Sequence, residues 1–262
     1  MKIGAFITVR LGSTRLHNKA LLKIKGRPTI MHLIERIKQA KNIDEIVLCT
    51  TTNSEDKKLI AIAKKLNIAY FTGDDKDIIK RHYDAANYHG VDFVINIDGD
   101  DLFCDPEYID DIAKEAKKNY GIYDVIETKG LPFGVNSFGY KVDCLRNVFE
   151  NKSQNNTDTG WGEFFRENKN LKKKVIQAKE KHIFKDKKLE PRMSLDYQED
   201  LDFFIKVFEA LYKEGRYFSY DAIIEFLKKN PNVIDINKQV EEIYWENYDK
   251  KKVIKDKVKK EK

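Results

Sequence analysis

Arg10, Ser13, Arg15 and Lys19 lie close together, directly after the apolar run Ile3 to Val9. Two guanidiniums, an ammonium, a hydroxyl and the backbone N–H groups of Leu11 and Gly12 make a donor set suited to a polyphosphate. The loop has neither G-x-x-x-x-G-K-[ST] nor G-x-G-x-x-G, which argues against a P-loop NTPase and a dinucleotide binder. A second cluster, Asp98-Gly99-Asp100-Asp101, follows the apolar stretch Val91 to Ile97. Its carboxylates are hard oxygen ligands of the kind Mg2+ takes, and Gly99 lets the backbone turn between them. A triphosphate gripped by arginines still needs a divalent ion near the reacting phosphorus, so the two clusters make one chemical proposition: metal-assisted transfer at a nucleotide phosphate.

That proposition requires both clusters to sit at the same edge of a sheet. Ile3 to Val9, Glu45 to Thr52, Ile68 to Phe71 and Val91 to Ile97 read as strands. Between them, Thr29 to Ala40, Glu55 to Leu66 (with Ser54 as cap) and Lys76 to His89 repeat apolar residues at helical spacing. Strand and helix alternate, which implies right-handed crossovers and a mostly parallel, Rossmann-like α/β sheet over residues 1–119. Ligands then bind beyond the carboxyl ends of the strands. Asp105-Pro106-Glu107 opens the next helix, Tyr108 to Lys118. From 120 to 190 the rhythm breaks into glycines, aromatics and the polar stretch Asn151 to Gly160, so an inserted lobe is expected there. Arg192 to Leu195 reads as a brief strand and Tyr197 to Glu209 as a helix with acids in its first turn. Over 191–248 the chain returns to the core, where the helices Tyr220 to Lys229 and Lys238 to Asn247 are read as amphipathic and structural.

Hydrophobic residues are 41% and charged residues 35% of the 262, a composition with an ordinary core and a heavily charged surface. No apolar run reaches the roughly 18 residues of a membrane span, and no signal-type segment precedes the first strand, so a cytoplasmic, non-membrane protein is expected. Cys49, Cys104 and Cys144 are widely spaced and imply reduced, buried thiols. The net charge of +6 is concentrated in the tail 249–262, with eight lysines against three acids, which argues against a nucleic-acid partner.

The stretch R-L-G-S-T-R-L-x-x-K-A-L-L-x-I-x-G-R-P resembles the opening of the cytidylyltransferases that activate acidic sugars, such as those making CMP-Kdo and CMP-sialic acid, and most of all the spore-coat polysaccharide F-type members. The usual pattern has Pro-Gly-Lys where this chain has His17-Asn18-Lys19, and the lysine is kept. The segment Arg192 to Leu201 is similar to the family's R-x-[ST]-x-D-x-x-E-D-L. The resemblance implies a nucleotide-diphospho-sugar transferase type fold whose inserted lobe covers the site and supplies a homodimer contact. It implies CTP and an acidic sugar as substrates, Mg2+ on Asp98, Asp100 and Asp196, and Arg10, Lys19, Asp98 and Asp196 as the catalytic set. Arg81 joins the nucleotide-binding residues, and Pro132, Phe133, Gly134 and Asn136 are the candidates for the acceptor pocket. Two rival readings remain: a metal-dependent glycosyltransferase, from Asp98-Gly99-Asp100, and a non-catalytic nucleotide-binding or polybasic adaptor.

Overall fold

The first strand, β1 (Ile3–Thr8), is buried on both faces, and its alternation divides the core. Ile3, Ala5 and Ile7 face one hydrophobic cluster; Phe6 faces another. The computed structural model describes residues 1–251, so most of the lysine-rich tail lies outside the described residues.

After a small hairpin, β2 (Lys23–Ile24) and β3 (Arg27–Pro28), the chain runs through α1 (Thr29–Ile37), β4 (Glu45–Thr51), α2 (Lys57–Lys65), β5 (Ala69–Gly73), α3 (Ile78–His89), β6 (Phe93–Asp98) and α4 (Pro106–Lys118). Then come β7 (Val125–Lys129), β8 (Phe138–Lys141), α5 (Val142–Asn151), the single turn α6 (Glu163–Arg166) and β9 (Lys173–Gln177). Four helices finish it: α7 (Gln198–Leu211), α8 (Tyr220–Lys229), α9 (Pro231–Ile234) and α10 (Val240–Lys251).

Seven strands form one sheet in the order β5-β4-β1-β6-β8-β7-β9. Only β8 runs against the others, pairing antiparallel with both β6 and β7. The sheet is therefore mostly parallel, as the alternation of strands and helices implied. Successive strands first step from β1 outward to β5, and the chain then returns to place β6 on the other side of β1. The gap between β1 and β6 is the topological switch point, where loops diverge and leave a crevice. One face of the sheet is covered by α1, α2 and α4, and the other by α3 and α5. A third cluster gathers α7, α8 and α9 around Phe103 and the turn at 131–135.

Two local elements differ from those expected, the segment at 192–195 and the start of α2. Arg192 to Leu195 is extended but joins no sheet: Met193 N–H donates to Phe133 O (2.8 Å) and Leu195 N–H to Asp100 O (3.0 Å), both in loops. Ser54 caps nothing through its side chain and sits inside a 3-10 turn. The strands of the segment expected as an inserted lobe all extend the main sheet. Cys49, Cys104 and Cys144 are free and buried.

Candidate active site

Thr8 at the end of β1 is in register with Asp98 at the end of β6, so the two chemical clusters emerge side by side. Gly99 seals them together. Its N–H donates to Thr8 O (2.9 Å), and a Cβ there would lie 2.7 Å from the Val9 side chain, a contact no other residue type tolerates without backbone movement. The start of the cationic loop is held by Asp56, a buried carboxylate. It accepts from Leu11 N–H (2.8 Å) with one oxygen, and from the Thr50 hydroxyl (2.9 Å) and Thr51 N–H (3.2 Å) with the other. Asn18 adopts the left-handed conformation (φ 52°), which explains why Asn can stand where the family pattern has Gly: its short polar side chain tolerates that region best among non-glycine residues.

Together these strand ends frame a cavity of about 920 Å³. It is lined by Arg10, Gly12, Ser13, Arg15, Lys19, Arg81, Asp98, Asp100, Asp196, Phe133, Gly134 and Asn136, so most of the sequence-selected residues converge on it. Leu11 and Pro132 stand back from it. The Leu11 side chain is fully buried in the core, and Pro132 is buried beneath the turn where its carbonyl accepts from Val135 N–H (3.2 Å). A separate, mostly apolar groove of about 530 Å³ beside α8 carries none of these residues.

Lys19 is the centre of the charge arrangement. Its ammonium bridges Asp100 and Asp196, at 3.0 Å from the latter. Despite burial, those two carboxylates hold its pKa up. Asp196 also accepts from Arg15 (2.5 Å), from the buried Arg192 (2.7 Å) and from the Ser194 hydroxyl (3.2 Å). Burial alone would push its pKa up, yet Lys19, Arg15 and Arg192 hold it far below the usual carboxylate range. Asp200 steadies this corner, accepting from the N–H groups of Asp196 (2.9 Å) and Tyr197 (3.0 Å) at the start of α7.

The opposite trend holds at the end of β6. Burial, then repulsion from Asp100, raises Asp98 to about 6, and burial with Asp100 and Asp98 raises Asp101 well above its ordinary value. Oxygens of Asp98, Asp100 and Asp101 lie within 4.8 Å of one another. Three converging hard donors whose mutual repulsion a cation would relieve fit a divalent metal. Lys19 shows in addition that a single positive group touches Asp100 and Asp196 together. Asp101 joins the carboxylates named from the sequence, and Asp196, held by Arg15 and Arg192, is tied to the cluster through Lys19.

Arg10 forms an ion pair with Asp158 (2.5 Å) on a segment strapped to α3. Asp77, the cap of α3, binds Lys152 (2.6 Å) and the Thr157 hydroxyl (3.0 Å) and so brings that segment over the cavity. Arg81 is almost wholly buried, and its Nε and Nη1 have no hydrogen-bond partner among the described residues. Burial lowers its pKa. The far wall is aromatic. Tyr244 of α10 lies against the guanidiniums of Arg15 (5.3 Å) and Arg192 (4.4 Å), and Trp245 lies 5.2 Å from Phe133. The Tyr248 hydroxyl donates to Glu163 (2.7 Å). α10, expected from the sequence to be an amphipathic structural helix over Lys238 to Asn247, has no single apolar face and instead walls the cavity.

A cationic strand-end loop facing carboxylates at the switch point of a mostly parallel sheet defines the class of α/β nucleotidyltransferases. Within that class the chain belongs to the cytidylyltransferase family, whose description matches residues 5–243. An uncharacterised protein of Methanocaldococcus jannaschii is 31% identical over 92% of this chain and 96% of its own length. The 3-deoxy-manno-octulosonate cytidylyltransferase of Geotalea daltonii is 31% identical over 42% of this chain and 43% of its own. A solved cytidylyltransferase from Leptospira borgpetersenii superposes with a TM-score of 0.81 at 26% identity, over 89% of this chain and 97% of that one. The fold is also that of a CMP:2-keto-3-deoxy-manno-octonic acid synthetase solved with CTP (TM-score 0.61, 15% identity, 80% and 99% covered).

Proposed function

We propose that this cytidylyltransferase transfers CMP from CTP to a hydroxyl of an acidic sugar of the octulosonic or nonulosonic kind, releasing pyrophosphate. The observation that carries the reading is Lys19 bridging Asp100 and Asp196 within a cavity whose mouth holds Arg10 and Arg15. In this reading Arg10, Ser13, Arg15 and Lys19 hold the β- and γ-phosphates, which draws Lys19 toward phosphate oxygen and frees its carboxylates. Arg81, with unpaired nitrogens in a dry wall, offers donors to the nucleotide. The sugar hydroxyl attacks the α-phosphorus and gives up its proton to solvent as the bond to the bridging oxygen breaks, and the cationic loop neutralises the departing pyrophosphate.

Asp98, Asp100 and Asp196, with Asp101, are the residues that would hold Mg2+, and a bound ion would supply charge neutralisation at the α-phosphate. For the acceptor, Phe133, Gly134 and Asn136 offer one wall and Trp245 and Tyr248 another, with the Arg166 guanidinium for a carboxylate. Ring faces of this kind suit the apolar face of a sugar. We place the work in the cytoplasm, in surface-glycan synthesis. We further place the chain in a homodimer joined through the 120–190 lobe, where Tyr120 and Ile122 are exposed. No helix among the described residues is long and apolar enough to cross a membrane.

Incubation with each common NTP, Mg2+ and a panel of acidic sugars, and in parallel with nucleotide sugars as donors, with pyrophosphate and sugar transfer as the readouts, tests the proposal. Release with CTP and one acidic sugar supports it. Sugar transfer from a nucleotide sugar, without pyrophosphate, would establish the glycosyltransferase reading instead, and neither activity would leave a binding protein.

A further inference from the structure

A line of buried polar groups runs through the otherwise apolar face of β8, β1 and β6 and ends at Asp98. Tyr140 OH lies 2.6 Å from His82 Nδ1, and His82 Nε2 lies 2.7 Å from Thr8 Oγ1. Thr8 Oγ1 lies 2.6 Å from Asn96 Oδ1, and Asn96 Nδ2 lies 3.0 Å from Asp98 Oδ1. Tyr140 and His82 are fully buried and Asn96 nearly so. A polar string in such surroundings is expensive unless every member is satisfied, and a satisfied one is directional.

The direction follows from proton counting. Two oxygens meet between Thr8 and Asn96, and only the threonine hydroxyl has a proton to place there, so Thr8 donates. Thr8 must then accept from His82, which fixes the proton on Nε2. The bare Nδ1 accepts from Tyr140. Burial, reinforced by Arg81, lowers the His82 pKa to about 3, in keeping with a neutral ring. With its carbonyl oxygen taken by Thr8, the Asn96 amide has only its N–H to show Asp98. The reverse amide orientation would set two unprotonated oxygens 3.0 Å apart.

We propose that Tyr140, His82 and Thr8 are positioning residues that lock the Asn96 amide so that it holds Asp98 Oδ1 and leaves Oδ2 free for the metal. This rests on the reading of Asp98 as part of the nucleotidyl-transfer site. The strand register makes the lock possible: Thr8, Asn96 and Asp98 project from one face of adjacent strands, and Val94, two residues before Asn96, pairs with Tyr140. None of the three touches the reacting atoms. Their effect is transmitted through the orientation of one carboxylate.

The test uses Thr8→Val, which keeps the shape and deletes the hydroxyl, Thr8→Ser, which restores it, and Tyr140→Phe, which removes only the far donor. Steady-state kinetics with CTP and acceptor are read beside Mn2+ binding by electron paramagnetic resonance. Thr8→Val is expected to lower both kcat and Mn2+ affinity by about 10–100-fold, as loss of an outer partner of a metal ligand does, with KM for CTP nearly unchanged. Thr8→Ser should recover most of the loss, and Tyr140→Phe should show a smaller fall of the same kind. In an Asp98→Asn background Thr8→Val should add nothing, because the carboxylate it positions is gone. Wild-type kcat and Mn2+ affinity in folded Thr8→Val, a loss confined to KM for CTP, or additive losses in the double variant would overturn the relay. If Thr8→Val does not fold, Tyr140→Phe decides by the same criteria. A wild-type chain without CTP-dependent pyrophosphate release would instead overturn the functional reading, while the Mn2+ comparison still judges the relay.

Discussion

Replacing Asp98 with asparagine should make the protein more stable and nearly inactive. In the folded chain Asp98 is raised from 3.8 to about 6, chiefly by burial and then by Asp100. At about 1.4 kcal/mol per tenfold change in proton affinity, the ionised form is at most about 3 kcal/mol less favourable folded than unfolded. Water reaching this partly exposed carboxylate screens the repulsion and leaves about 1–2 kcal/mol to observe. Asparagine removes the charge, keeps an oxygen for Asn96 Nδ2 and turns an N–H toward its acidic neighbours. The melting temperature in chelator-treated buffer at neutral pH should therefore rise by about 2–6 °C for a chain of this length. The pH dependence has a definite sign. Below about pH 4 the wild-type group is protonated folded and unfolded, and the two proteins should melt alike. Between about pH 4 and 6 only the folded state retains the proton, so wild-type stability falls as pH rises and the gap opens; above about 6 it levels off. Scanning calorimetry across that range checks it. A variant that melts below wild type at neutral pH, or a gap independent of pH, would refute the crowded-carboxylate argument. In the same variant kcat should fall about 100-fold or more with CTP affinity largely retained, the pattern of a group acting mainly in the transition state.

Arg81→Met should leave melting without ligand unchanged or raised, since buried nitrogens without partners are lost, while the Kd for CTP by calorimetry rises about tenfold. Trp245→Ala should raise KM for the acceptor about tenfold and leave KM for CTP alone, because its ring contacts Phe133 rather than the cationic loop. Gly134→Ala should destabilise by about 3 kcal/mol or more in urea titration. Gly134 has φ 91°, and a Cβ would fall 2.2 Å from Met193 O, backbone that cannot swing aside.

The first half of the molecule was legible because its strands announce themselves. Ile3 to Val9 and Val91 to Ile97 are apolar runs that stop abruptly at charge, and a parallel sheet forces such stops to one edge. The charged loop after β1 and the acids after β6 are local motifs, readable without partners. What escaped depends on contacts distant in sequence. Asp56 grips Leu11 from 45 residues away, and Asp158 reaches Arg10 from 148. Tyr244, Trp245 and Tyr248 follow no sharp amphipathic pattern that would distinguish a wall of the site from a surface helix. Beyond residue 120 the rhythm failed because β8 enters antiparallel between β6 and β7, which no repeated strand-helix unit anticipates. Met193 and Leu195 alternate like strand residues, yet their N–H groups find loop carbonyls, so the extended segment positions Asp196 without belonging to the sheet.

The most direct test of the account is the fate of the α-phosphorus of CTP. With CTP radiolabelled at that position, Mg2+ and an octulosonic or nonulosonic acid, the label should move into a CMP-sugar as unlabelled pyrophosphate appears in equal amount, and Lys19→Ala or Asp196→Asn should abolish both. Label remaining in CTP across the whole sugar panel, or released as free CMP with no sugar conjugate, would contradict the assignment of this cavity to cytidylyl transfer onto an acidic sugar.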